Sequence, residues 1–133
     1  MKFLLTKVGN KVEISTFANE QDLLAAAENP NSKIYDESQL PDREFIDAWT
    51  IDATIDLELA KDVWRNKMRP IRNERLKQLD LEWMKALEVD DYQAAAKIIV
   101  KKVELRDITK RDELKYAKTL DEIKAFWPAV LNG

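Results

Sequence analysis

The sequence predicts an α+β fold, with a small sheet near the N-terminus and helices in the rest of the chain. Two β-prone segments, 2–7 and 11–15, flank Gly9-Asn10. A Gly-Asn pair between alternating apolar and polar residues is typical of a β-hairpin. After residue 57, apolar residues recur every three or four positions along two long segments, which indicates amphipathic helices. Together these patterns favour a hairpin unit followed by a mostly helical region.

A short helix and a third strand complete the predicted N-terminal unit, which covers residues 1–40. Asn19 is a favourable N-cap residue and Asp22 follows three positions later, so a helix is expected to begin there. The Asn-Pro-Asn run at 29–31 ends this helix, and the β-prone residues 33–35 return as a strand. A unit of about 40 residues lies near the lower limit for independent folding. We therefore expect it to need contacts with other residues.

Residues 41–56 are predicted to form an extended connecting arm, because apolar residues alternate partly at 49, 51, 53 and 55. The helical region then covers 57–133. Asp56 is placed to cap its first long helix. Pro70 is expected to kink or break that helix, because proline lacks a backbone N–H and clashes with the preceding turn.

A second long helix is predicted over 92–107, with residues 95, 98, 99, 103 and 105 as candidate buried positions. It follows the connection 89–91, which contains an aspartate that can cap it. A short connection between two amphipathic helices predicts an antiparallel pair. Near the C-terminus, residues 119–122 have the capping-box form, which predicts a last short helix before Pro128.

The composition excludes several classes of chemistry. The 133 residues include no Cys, no His and only 2 Gly. Thiolate nucleophiles, disulfides and cysteine metal sites are therefore absent, as are the commonest acid–base residue and a glycine-rich phosphate loop. Spacing reveals no nucleophile–base pair, and acidic clusters are interpreted as helix caps and exposed faces. We expect no enzymatic activity, cofactor or metal, and no apolar run approaches the ~20 residues that cross a bilayer.

The formal net charge of −3 is unevenly distributed. Residues 1–56 carry 5 basic and 11 acidic side chains, whereas 57–133 carry 17 and 14. The sharpest basic stretch is 61–77, in which Lys61, Arg65, Arg69 and Arg72 cluster on one side of a helix. Such a face can bind phosphates. Because the chain is acidic and has no recognised nucleic-acid motif, protein docking is preferred and nucleic-acid binding is the alternative.

Four tryptophans are spread over four segments of the sequence. Core packing is the default interpretation for each, whereas an exposed tryptophan often anchors a partner protein. Trp49 and Trp127 lie at the ends of elements with few local neighbours. The candidate partner-binding residues are therefore Trp49, Trp127, Arg65, Arg69 and Arg72.

Several segments, taken together and in this order, resemble a known group of proteins. They are 41–49 (PDREFIDAW), 60–65 (AKDVWR), 69–72 (RPIR), 79–80 (LD), 102–108 (KVELRDI) and 119–128 (TLDEIKAFWP). The pattern resembles small, mostly uncharacterised proteins of tailed bacteriophages and prophages. Their C-terminal helical part is similar to tail-fibre and tail assembly chaperones. Ile46 departs from the pattern, which has a basic residue there, and Pro70 falls inside the expected helix.

The resemblance implies a non-enzymatic bacteriophage protein that acts through protein–protein contacts in tail or virion assembly, as a structural component or an assembly chaperone. The expected partners are other tail or virion proteins, with no membrane. Homo-oligomerisation through the long helices is a further expectation, because they carry more apolar surface than one small domain covers. The alternative function is a nucleic-acid-binding regulator that uses 61–77. The expected location is the host cytoplasm during assembly, or the virion.

Overall fold

The computed structural model describes residues 1–132 and confirms the α+β class. The chain divides into two compact units, Met1–Val63 and Trp64–Gly133. The strands and helices are β1 (Lys2–Val8), β2 (Lys11–Ser15), α1 (Glu20–Ala26), β3 (Ser32–Asp36), α2 (Leu57–Glu88), α3 (Tyr92–Asp107), α4 (Asp112–Lys115) and α5 (Leu120–Ala125).

The first unit contains an antiparallel sheet in the order β2-β1-β3. Gly9 closes the hairpin with a φ of 62°, a left-handed conformation that glycine adopts without steric cost. The central strand buries the three consecutive residues Phe3, Leu4 and Leu5. Because successive side chains of a strand point to opposite faces, both faces of the sheet are covered at this strand. The predicted hairpin and third strand are both confirmed.

The predicted cap of α1 is also confirmed. The Asn19 side-chain oxygen accepts a hydrogen bond from the Asp22 backbone N–H at 2.9 Å, and the Asn19 amide donates to the Asp22 carboxylate at 3.1 Å. The first of these bonds satisfies a backbone donor that the first helical turn leaves unpaired. The helix ends before the Asn-Pro-Asn run, and it buries Leu23.

The expectation of an extended arm fails over Arg43–Ala48, which forms two short 3₁₀ turns joined by a kink at Phe45. The Asp42 carboxylate accepts a hydrogen bond from the Glu44 N–H at 3.0 Å and so starts the first turn. Phe45 and Ala48 are fully buried on the inner side of this segment. The apolar residues of this segment are therefore explained by turns that bury Phe45 and Ala48, and not by the alternation of a β-strand.

Trp49 and Ile55 then pair in an isolated antiparallel bridge that brings the chain back towards α2. Trp49 packs with Leu5 and Val12 in the core of the first unit. The partial alternation that suggested an edge strand thus comes from a short loop that covers one face of the sheet.

The long helix α2 begins as predicted, with the Asp56 carboxylate accepting a hydrogen bond from the Leu59 N–H at 3.2 Å. Pro70 does not break the helix, which continues to Glu88. Buried residues on both sides of the proline, Met68 and Leu79, anchor the two halves in the core. Tertiary packing therefore offsets the cost of about 3 kcal/mol that an interior proline imposes.

Replacement of Pro70 by alanine is expected to raise the free energy of unfolding of the second unit by about 1–3 kcal/mol. The side chain is exposed, so little packing is lost, and alanine restores an N–H donor inside the helix. Urea denaturation followed by circular dichroism measures the change. Pro30→Ala, in the turn before β3, is the control and is expected to give no stabilisation; equal gains from both would contradict the explanation.

Helices α2 and α3 form the predicted antiparallel pair. The connection is three residues long, and the Asp91 carboxylate accepts a hydrogen bond from the Ala94 N–H at 3.1 Å, capping α3 as predicted. Further along, the Lys102 ammonium lies 2.5 Å from the Asp80 carboxylate and 5.7 Å from the Trp83 ring centroid. These contacts fix the register of α3 against α2.

The core of the second unit combines both long helices with the C-terminal segment. The Trp64 indole N–H donates to the Phe126 carbonyl oxygen at 2.7 Å. At α5, the Thr119 hydroxyl oxygen accepts from the Glu122 N–H at 3.1 Å, which confirms the predicted cap. The fully buried large side chains of this unit are Met68, Leu79, Leu105, Ile108, Leu114 and Ile123.

Before α5, Arg111 and Glu113 form a two-bond ion pair, with nitrogen–oxygen distances of 3.0 and 2.6 Å. Hydrogen bonding from the Arg111 guanidinium lowers the pKa of Glu113 from 4.5 to about 2. The Arg111 guanidinium also lies 5.8 Å from the centre of the Phe126 ring. The pair therefore connects the turn at α4 with the buried aromatic residue that follows α5.

Candidate functional site

The most distinctive surface of the molecule is an exposed apolar face on the α2–α3 pair. Half of the fourteen exposed large hydrophobic side chains in residues 1–132 lie between 81 and 103. We call this set the hairpin face. Its members are Leu81, Met84, Val89, Tyr92, Ile99, Val100 and Val103.

On α3 the face follows a coiled-coil spacing. Tyr92, Ala96, Ile99 and Val103 are separated by four, three and four residues, which aligns them along one side of a helix. Ile99 is 48% exposed. A regular apolar seam in water is the pattern of a helix that packs against another helix.

Two of these residues correct the sequence prediction, which placed both Ile99 and Val103 in the core. Ala95 and Leu105 are buried as expected, but Ile99 and Val103 are exposed. The α3 helix meets α2 on the side that carries Lys102, which leaves the Ile99 side uncovered. Amphipathic spacing shows which residues share a face, but it does not show which neighbour covers that face.

Charged residues lie at the two ends of the hairpin face. The closed end, where the chain turns from α2 to α3, carries the exposed acids Glu88, Asp90 and Asp91. At the open end lie the exposed bases Lys77 and Arg106 together with the exposed acids Glu74 and Asp107. The face is therefore apolar in the middle, acidic at the closed end and of mixed charge at the open end.

Trp49 is not an exposed anchor, so this prediction is wrong. Its side chain is only 2% exposed, and its indole N–H donates to the Asp42 carbonyl oxygen at 3.0 Å. The bridge to Ile55 folds the following loop over the ring. Leu5 and Val12, which are distant in the sequence, pack with the ring from the sheet.

Trp127 is half-buried rather than free in solvent. Its ring packs edge-on against Trp64, with 5.9 Å between ring centroids, and its indole N–H donates to the Asn132 side-chain oxygen at 3.0 Å. Both contacts are internal to the second unit. They give Trp127 a packing role at the C-terminal turn.

The three candidate arginines make contacts with their own unit. Arg65 is half-buried and its Nε donates to the Thr109 carbonyl oxygen at 3.0 Å. Arg69 donates to the Asn66 side-chain oxygen, and Arg72 to that of Asn73 at 3.2 Å. Each of the three arginines therefore has a different hydrogen-bond partner within the second unit.

Other bases of the 61–77 stretch are also used internally. Lys61 is buried and pairs with Glu58 at 2.9 Å. Lys67 lies over the ring of Trp64, with 4.7 Å between its ammonium and the ring centroid. The basic side chains of this stretch therefore have different partners and do not form one set on a single exposed side. A phosphate-binding face needs its bases on one exposed side.

A shallow groove of about 380 Å³ lies between α2 and the C-terminal turn. Pro70, Ile71, Leu131 and Asn132 contribute to its walls. The Arg75 Nε beside it is buried without a hydrogen-bond partner, while its Nη1 donates to the Gln78 side-chain oxygen at 3.0 Å. Glu74, Arg75 and Gln78 complete its lining, so that apolar and polar side chains both line the groove.

Within the described residues, 1–132, no group of three or more acidic side chains is arranged to hold a metal ion. No helix in the same range is long and apolar enough to cross a membrane. No family model, curated protein or solved structure matches the chain.

Proposed function

We propose that this protein is a non-enzymatic component of bacteriophage tail or virion assembly, and that it works by binding protein through the hairpin face. The observation that carries the proposal is the concentration of seven exposed large hydrophobic side chains in residues 81–103. A contiguous apolar surface with a charged rim is the usual form of a protein-binding site. The bacteriophage setting comes from the sequence resemblance.

The free energy available from burying these side chains supports protein binding as the role of the hairpin face. Covering a side chain such as that of Ile99 or Met84 is worth roughly 1.5–3 kcal/mol when burial is complete. A few such residues at the centre of an interface supply most of a typical binding energy.

Affinity capture from phage-producing cells tests the proposal. The tagged wild-type protein is expected to retain tail or fibre proteins that mass spectrometry identifies. Ile99→Lys is expected to release them, because it places a charge in the apolar centre of the face. Leu24→Lys is the matched control, since Leu24 is also an exposed apolar residue on a helix but lies outside the hairpin face.

Two outcomes would contradict the proposal. The first is that wild-type protein retains no tail or virion protein. The second is that Ile99→Lys and Leu24→Lys retain them equally well. Circular dichroism of both variants confirms that each is folded before the capture is interpreted.

Mass spectrometry of purified virions separates the two roles within the proposal. A structural component is present in the particle at a fixed copy number. An assembly chaperone is present in the producing cell but absent from the finished particle. Both roles use the same face.

A further inference from the structure

We propose that the hairpin face receives a single amphipathic helix of the partner protein, which lies between α2 and α3 on their exposed side as the third helix of a bundle. This inference rests on the proposed function, because it names the kind of segment that the same surface binds. Two rows of side chains, one on each helix, carry the argument. The alternative occupants are an extended segment and a second copy of the chain.

On α2 the exposed row points away from the core of the second unit. At about 100° per residue, Leu81 and Met84 lie about 160° and 140° from the buried Leu79 around the helix axis. Lys77 and Glu88 extend this row, so that four exposed residues follow one another at spacings of four, three and four. Such spacing is typical of a helix side that packs against a second helix.

The α3 row that contains Ile99 lies on the same side of the hairpin. The ion pair between Asp80 and Lys102 marks the line along which the two helices meet. Met84 lies about 40° beyond Asp80 around the axis of α2, and Ile99 lies about 60° beyond Lys102 around the axis of α3. Because the helices run antiparallel, these two rotations lead to the same side of the pair. The two rows therefore form the walls of one groove.

The residues of the two walls are matched in level. In an antiparallel pair, each step forward on α2 corresponds to a step back on α3, counted from the ion pair. Leu81 therefore lies level with about Val103, and Met84 lies level with about Ile99. A third helix fills such layers with one apolar side chain at every third or fourth residue.

An extended segment suits this groove less well than a helix does. A strand carries N–H and C=O groups that must be paired or remain in water. Along α2 and α3 the backbone groups are bonded within each helix, so the groove offers side chains as its contacts. A helix brings its own backbone groups already paired, and covering it leaves none of them unbonded.

One wall of the groove has a position for a large side chain of the partner. Ala96 is exposed in the α3 row and is smaller than Tyr92 and Ile99 on either side of it. A small residue in a helix side lets the side chain of a facing helix enter between its larger neighbours. We therefore expect the partner helix to place a large apolar residue against Ala96.

The charge at the closed end indicates the polarity of the partner helix. Glu88, Asp90 and Asp91 are exposed there. The base Lys85 points about 100° away from Met84 around the axis of α2, so it lies to one side of the groove. We therefore expect basic residues at the end of the partner helix that lies over the closed end.

Selection from a displayed library of random peptides, each about 16 residues long, tests the inference on purified full-length protein. Wild-type protein is expected to enrich sequences whose large apolar residues recur every three or four positions and which are basic at one end. The enriched peptides are expected to bind Ile99→Lys at least about tenfold more weakly than wild type, and Leu24→Lys as strongly. Enrichment of alternating apolar sequences, or no enrichment that depends on Ile99, would overturn the inference.

A second pair of variants tests the position of the helix in the groove. Ala96→Trp fills the expected space without a change of charge and should weaken binding of an enriched peptide at least about tenfold. Ala25→Trp is the matched control, because Ala25 is an exposed alanine on α1, and it should leave binding unchanged. Equal binding by both variants, or a bound peptide that gains no helical circular dichroism, would overturn the inference.

Sedimentation velocity of the wild-type protein between about 5 and 500 µM tests the second copy as occupant. A monomer is expected throughout this range. A dimer that Ile99→Lys abolishes would place a second copy on the hairpin face and overturn the inference.

The failure of this inference can be told apart from the failure of the proposed function. Capture of tail proteins through Ile99, together with enrichment of extended sequences, overturns the helical partner and leaves the function supported. Enrichment of helical sequences that depends on Ile99, in a protein that captures no tail protein from cells, supports the helical partner and contradicts the assembly role.

Discussion

Replacement of Leu79 by alanine is expected to lower the free energy of unfolding of the second unit by about 3–5 kcal/mol. Leu79 is 0% exposed, so the shorter side chain loses apolar burial and leaves a cavity among close-packed neighbours. Urea denaturation monitored by circular dichroism measures the loss as a lower midpoint at an unchanged slope.

Leu81→Ala is the control for this prediction. Leu81 lies two residues further along the same helix and is 61% exposed on the hairpin face. The same chemical change there is expected to cost less than about 1 kcal/mol in an isolated chain. Similar losses at both positions would contradict the assignment of Leu79 to the core and Leu81 to the binding face.

Replacement of Trp49 by alanine is expected to cost about 3–5 kcal/mol in the first unit. The variant removes a buried ring that packs with Leu5 and Val12, and it leaves the Asp42 carbonyl oxygen without its indole donor. Chemical denaturation of the full-length protein measures the effect through the loss of sheet signal.

Two further variants separate packing from hydrogen bonding at this position. Trp49→Phe keeps much of the apolar volume but lacks the N–H, so an intermediate loss is expected. Phe17→Ala removes an aromatic ring that is exposed in the same unit and is expected to have little effect. A loss no larger for Trp49→Ala than for Phe17→Ala would contradict the buried position of Trp49.

The sequence predicted best those features that depend on neighbours in the chain. Gly9 needs only its own backbone conformation to close the hairpin, and Asn19, Asp56, Asp91 and Thr119 need only the first turn of the helix that follows. Local hydrogen bonding fixes these positions, so a motif of four or five residues is sufficient to identify them.

Features that depend on contacts distant in the sequence could not be predicted in the same way. The kinked 3₁₀ segment is stabilised by burial of Phe45, and α2 passes through Pro70 because buried residues on both sides hold it. Local propensity gives no information about such contacts.

The candidate site shows the same limit. The spacing of Tyr92, Ile99 and Val103 was visible in the sequence, but the same spacing fits a helix side that faces the core. Only the position of Lys102 beside Asp80 shows that α2 covers a different side of α3. Conversely, the sequence around Trp49 does not reveal the buried residues Leu5 and Val12 that pack with it, because both are distant in the chain.

Photo-cross-linking from position 99 in phage-producing cells tests most directly the claim that this protein works by binding protein through the hairpin face. A photoreactive side chain replaces Ile99, and a second version carries it at Leu24 as the control. A strong adduct with a second protein chain is expected from position 99, and little adduct is expected from position 24. No adduct from position 99, or equal adducts from both positions, would contradict it.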